Sequence, residues 1–89
     1  MTVPNTKILL IDDDDSLRRV LEFQLAEAGH SVVSESDGRE ALRLYSAEDF
    51  DCVITDWRMP KMTGSQLVQQ ATAINSEVPI IVITAFGDV

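Results

Sequence analysis

The chain has 89 residues, with 7 Lys+Arg against 15 Asp+Glu and a formal charge of -8. That length suits one small domain, and 45% apolar with 25% charged residues is the composition of a globular chain. The acidic balance argues against direct nucleic-acid binding and against docking on an anionic membrane, both of which need a basic face.

Residues Met1 to Thr6 lack the charged and apolar regions of a signal peptide, and no apolar run approaches the ~18 residues of a spanning helix. A cytoplasmic protein with no membrane contact is expected. Lys7 to Ile11 is a short apolar run of the kind buried on both faces of a parallel sheet. It ends in the acidic stretch Asp12 to Asp15 and Ser16. Leu17, Val20, Leu21, Leu25 and Ala28 then recur at helical spacing, and Gly29 stops the helix. The spacing predicts a weaker strand over 30–36, centred on Val32 and Val33, with His30 exposed at its start. Asp37 followed by Glu40 predicts a capping box opening a second helix, whose apolar stripe is Ala41, Leu42 and Tyr45. A third strand, Cys52 to Thr55, ends at Asp56, with Cys52 a small core residue. As the chain's one cysteine, Cys52 excludes an internal disulfide or a cysteine-cluster metal site. A loop with Pro60 and Gly64 leads to a third helix carrying Leu67, Val68, Ala71 and Ile74, stopped near Asn75. Pro79 introduces a fourth buried strand, Ile80 to Thr84.

Strands alternating with helices at this spacing predict an α/β fold with a parallel sheet and helices on both faces. Ligands of such sheets sit at the carboxyl ends of the strands. The first strand ends at Asp12 and Asp13, the third at Asp56 and the fourth at Thr84. If the first and third strands are neighbours, three carboxylates converge, and they repel unless a cation or a proton joins them. Oxygen-only ligands select a hard cation such as Mg²⁺. A carboxylate beside Mg²⁺ can act as a nucleophile toward phosphorus, with the Thr84 hydroxyl able to donate to a phosphoryl oxygen.

Each group also has an ordinary explanation. Acids before a helix cap its free N–H groups and favour its dipole, a role suited to Asp15 or Ser16. Asp56 alone is a turn former and Thr84 a strand-end residue. The joint placement of the acids at one sheet edge is what favours a site. Trp57, next to Asp56, is compatible with core or surface.

Three motifs, Ile8-Leu9-Leu10-Ile11-Asp12-Asp13, then Asp56-Trp57-Arg58-Met59-Pro60-Lys61-Met62-Thr63-Gly64, then Ile83-Thr84-Ala85, together resemble the receiver domain of two-component response regulators. The ending Thr84 to Val89 is similar to receivers of the sigma-54-activator (NtrC-like) group. The resemblance implies a flavodoxin-like (CheY-like) sheet with strand order 2-1-3-4 for the part present, and a phosphorelay function. It implies that Asp56 accepts a phosphoryl group from a phosphohistidine of a sensor histidine kinase. Asp12, Asp13, Asp56 and the Arg58 backbone carbonyl would hold Mg²⁺, and Thr84 would be the switch hydroxyl. Ala85 would leave room for the phosphoryl group, and Pro60 and Gly64 would shape the loop. Catalysis would extend to the chain's own aspartyl phosphorylation and no further.

Receivers run to roughly 120 residues, near the usual size of a compact domain. Residues 1–89 are therefore expected to form an incomplete receiver, a fragment of a longer regulator that ends after the fourth strand. No Lys or Arg follows Lys61, so the family's lysine on the fifth strand is not in this sequence. Slow phosphorylation is expected, together with self-association through the apolar fourth strand as an open edge. Two alternatives stand beside this reading. Asp12-x-Asp14-x-Ser16-Leu17 also resembles the nucleophile motif of haloacid-dehalogenase-type phosphatases, with Asp12 as nucleophile and Asp14 as general acid. The other is an inert receiver-like module that only binds a partner.

Overall fold

A computed structural model of the chain describes residues 6–57, 59 and 62–83. The elements in order are β1 (Lys7–Ile11), α1 (Asp15–Glu27), β2 (Ser31–Glu35), α2 (Gly38–Ala47), β3 (Cys52–Asp56), α3 (Gly64–Ile74) and β4 (Ile80–Ile83). The four strands form one parallel sheet in the order β2-β1-β3-β4. This is the CheY-like flavodoxin fold with β1 and β3 side by side, as the resemblance implied. No helix among the described residues is long and apolar enough to cross a membrane.

Side-chain alternation along the central strands divides the core between the two faces of the sheet. Leu9, Ile11 and Val53 face one way and pack with Ala41 and Tyr45 of α2, Leu67 and Ala71 of α3, and Phe50, Met59 and Met62 from the loops. Ile8 and Leu10 point to the opposite face and are equally buried, on the side of the sheet left to α1. Burying a leucine of this kind stabilises the fold by about 1.5–3 kcal/mol, so the continuous apolar run of β1 reads as it does because both of its faces are covered.

The helix starts differ from expectation in detail. Asp14, rather than Asp15 or Ser16, caps α1, its carboxylate accepting from the Leu17 N–H at 3.1 Å. Asp37 caps α2 by accepting from Arg39 N–H, but Glu40 pairs with Arg43 instead of closing a box. A complete capping box opens α3, where Thr63 and Gln66 bond each other's backbone N–H groups. Gly29 ends α1 with φ +99°, the left-handed conformation that glycine adopts without steric cost.

Expectations about burial are corrected at β4, Cys52 and His30. Strand β4 is not buried: Ile81 is 50% exposed and Val82 is exposed as well. Among the described residues β4 is an edge, paired with β3 alone. Helix α1 buries none of its side chains fully, and Val20 and Phe23 are exposed. Its helical stripe is real, but among the described residues no second helix lies beside it to cover that stripe. Cys52 and His30 are both half-buried, where a core and an exposed position were expected.

Candidate metal and phosphoacceptor site

The site forms where β1 and β3 end. Their register pairs Ile11 with Thr55, so the residues that follow, Asp12 and Asp56, lie side by side at the same edge. Asp12, Asp13 and Asp56 each present a carboxylate oxygen, and these oxygens all lie within 4.8 Å of one another. Asp12 and Asp13 are consecutive, Asp56 is far along the chain, and the β1–β3 pairing brings it to them.

Asp12 is 1% exposed and is held at three atoms. Its N–H donates to the Glu35 carbonyl of β2 at 3.1 Å. Its carbonyl accepts from Arg18 Nη1 at 2.8 Å. Its Oδ1 accepts from the Asp14 N–H at 2.9 Å. Its Oδ2 is buried with no hydrogen-bond partner. Burial pushes the Asp12 carboxyl above the usual carboxylate range. The Asp14 N–H opposes that shift, and the neighbouring charges of Asp56, Asp13 and Asp14 add to it.

Asp56, 9% exposed, is positioned by the first residue of α3. The Gly64 N–H donates to the Trp57 carbonyl at 2.7 Å. A Cβ on Gly64 would sit 2.8 Å from both the Asp56 carbonyl oxygen and the Trp57 Cα, so only glycine permits this approach. Trp57 follows at 43% exposure, on the surface beside the acids. Asp13, the exposed member of the cluster, opens onto a cleft of ≈ 480 Å³ also lined by Asp15, Ser36, Asp37, Gly38, Met59 and Met62.

The donor set fits a small hard cation. It is all oxygen and anionic, and the Asp12 carboxylate has an oxygen, Oδ2, that is buried with no donor among the described residues. Asp14 lies outside the set, its carboxylate engaged as the cap of α1; that is poor placement for the general acid of the phosphatase alternative. Thr84, Ala85, Arg58 and Pro60 lie outside the described residues, as does the ending compared with NtrC-like receivers. Sequence reasoning passed over Arg18, whose contacts with Asp12 and Asp15 join residues on the two sides of a turn and leave no local sequence signal.

Comparison with known proteins agrees with the geometry. The family described as "Response regulator receiver domain" matches residues 8–89. This chain belongs to the response regulator receiver domain family. It is 47% identical over 83 residues to the probable transcriptional regulator ycf27 of Guillardia theta, covering 93% of this chain and 32% of that protein. The chain thus spans about a third of the length of that relative. The chemotaxis protein CheY4 of Vibrio cholerae superposes with a TM-score of 0.88 at 33% identity, covering 96% of this chain and 72% of that one. The response regulator TrrA of Thermotoga maritima, in complex with Mg(2+)-BeF, superposes with a TM-score of 0.88 at 29% identity, covering 92% and 71%. TrrA is also known in complex with the histidine kinase ThkA, there with a TM-score of 0.87 and 29% identity over 93% of this chain and 72% of that one.

Proposed function

We propose that this chain is the phosphoryl-accepting module of a two-component system, with residues 1–89 forming a single receiver unit that acts in the cytoplasm. Asp56 accepts the phosphoryl group from a phosphohistidine of a sensor histidine kinase, while Asp12 and Asp13 hold Mg²⁺ beside it. The observation that carries this reading is the convergence of carboxylate oxygens from Asp12, Asp13 and Asp56 within 4.8 Å of one another, beside an Asp12 Oδ2 that is buried with no donor among the described residues. The Mg(2+)-BeF and kinase complexes of TrrA support it by relationship.

In the transfer, an Asp56 carboxylate oxygen forms a bond to phosphorus as the bond from phosphorus to the donor's ring nitrogen breaks, and that nitrogen keeps the electron pair. Bound Mg²⁺ supplies positive charge that offsets the carboxylates and the phosphoryl oxygens. Asp12, locked by its own hydrogen bonds, presents Oδ2 in a fixed direction and needs no rearrangement to bind. The Gly64 contact fixes the backbone of Asp56, and the cleft beside Asp13 leaves the acids open to a donor. By the family's pattern the Arg58 carbonyl completes the metal ligands and the Thr84 hydroxyl donates to the phosphoryl group. The chain modifies itself and does not turn over a substrate.

The test is mass spectrometry of the chain after incubation with acetyl phosphate and Mg²⁺, with the modified residue mapped. One added phosphoryl group on Asp56 is expected, absent without Mg²⁺ and absent in Asp56→Asn. Labelling at Asp12 instead, or labelling that persists in Asp56→Asn, would overturn the assignment.

A further inference from the structure

We propose that Arg18 is a positioning residue for the acidic pocket, its guanidinium locking the turn between β1 and α1 in the shape that brings Asp12 and Asp13 to Asp56. This rests on the Mg²⁺ reading above. Arg18 Nη1 donates to the Asp12 carbonyl at 2.8 Å, and Nη2 pairs with Asp15 Oδ1 at 2.8 Å. The side chain is only 17% exposed. One planar fork therefore ties the residue that ends the strand to the first residue of the helix, across the two residues that bend between them.

An ordinary helix ion pair does not account for this. An exposed pair three residues apart stabilises a helix by only a few tenths of a kcal/mol, and it has no need of a strand-end carbonyl. The bond to the Asp12 carbonyl sets the plane of the Asp12–Asp13 peptide and so the direction in which the Asp13 side chain leaves the turn. Among the described residues no side chain donates to the Asp13 carboxylate. Its direction thus follows its backbone, which Arg18 holds at the Asp12 carbonyl while the Asp14 N–H holds Asp12 Oδ1.

Charge alone predicts the opposite result. A cation beside an acidic cluster repels a second cation, so deleting it should tighten Mg²⁺ binding. If Arg18 positions the ligands, deleting it weakens binding despite the added negative charge. Groups that orient metal ligands typically matter at the level of ten- to a hundredfold in affinity.

The experiment titrates Mg²⁺ into the wild-type chain, Arg18→Ala and Arg18→Lys, read by Trp57 fluorescence, with amide exchange of Asp14 followed in the metal-free proteins. Binding about tenfold weaker in Arg18→Ala is expected, with faster Asp14 exchange as its bond to Asp12 Oδ1 loosens. Arg18→Lys should stay weakened, because it keeps the charge but loses the fork, and it carries the test if the alanine variant does not fold. Variants that bind Mg²⁺ as tightly as wild type, or more tightly, would overturn the positioning role and leave the metal reading intact. A wild-type chain without any Mg²⁺ response would overturn both.

Discussion

Asp12 concentrates the conflict between folding and function at the scale of one residue. Its carboxylate is fully buried, has one oxygen without a partner, and titrates above the usual range mainly because burial disfavours its charge. A carboxyl whose folded pKa is raised contributes stability at pH below its unfolded value, and that contribution is lost as pH rises through the folded value. At neutral pH the metal-free fold therefore carries the cost of a charged, buried Asp12. Replacing it with Asn keeps the acceptor for the Asp14 N–H and removes the charge. Asp12→Asn should stabilise the metal-free protein by about 0.5–2 kcal/mol, within the range of single stabilising changes, and should abolish the Mg²⁺ response. Thermal unfolding with and without Mg²⁺ from pH 4 to pH 8 checks both points. In wild type, the rise in melting temperature caused by Mg²⁺ should grow with pH until Asp12 is fully ionised, because protons compete for the same oxygens. A metal-free Asp12→Asn less stable than wild type at neutral pH would contradict this account.

Among the elements, the start of α3 matters most to the site. Its capping box satisfies the first N–H groups, and its first residue seats against the backbone of the proposed phosphoacceptor. In Gly64→Ala the new methyl meets main-chain atoms of Asp56 and Trp57, which cannot rotate aside as a flexible side chain could. Overpacking of this kind costs about 1–3 kcal/mol. The variant should unfold at lower denaturant and label more slowly on Asp56 even where it remains folded. Thr63→Ala, which removes the cap without touching Asp56, serves as the comparison: similar destabilisation with unchanged labelling is expected. Equal loss of labelling in both variants would show that helix stability, and not the Gly64 contact, is what Asp56 needs.

For the whole molecule, the uncovered surfaces carry the consequence. Ile81 and Val82 are exposed on β4, and Val20 and Phe23 on α1. Among the described residues the outer edge of β4 pairs with no strand and carries apolar side chains, a template for a second copy of the chain. The 89-residue chain is expected to self-associate reversibly through this edge at tens of micromolar. Sedimentation checks it, and Ile81→Lys should return the protein to monomer, since a charge on an edge strand opposes pairing. A wild-type chain that sediments as a monomer throughout that range would refute the expectation.

The alternation of apolar runs and helical stripes was enough to set the element order, the parallel sheet and the two carboxylate groups, because those signals are local. Hydrophobic period, a helix-stop glycine and acids directly after a buried run each act over a few residues. The receiver motifs added the neighbouring of the first and third strands, which periodicity alone left conditional. The burial expected of β4 is not met for a physical reason: an apolar run reports what a segment can bury, while its actual cover depends on which elements stand beside it. Likewise Asp14, among four consecutive acids, became the cap only through the path of the chain into α1. The motifs also implied that Asp12, Asp13 and Asp56 meet, and the β1–β3 register brings them together. The solitary Oδ2 and the Arg18 fork belong to the tertiary structure alone, since distances across a turn or a sheet are set by register and packing and not by order along the chain.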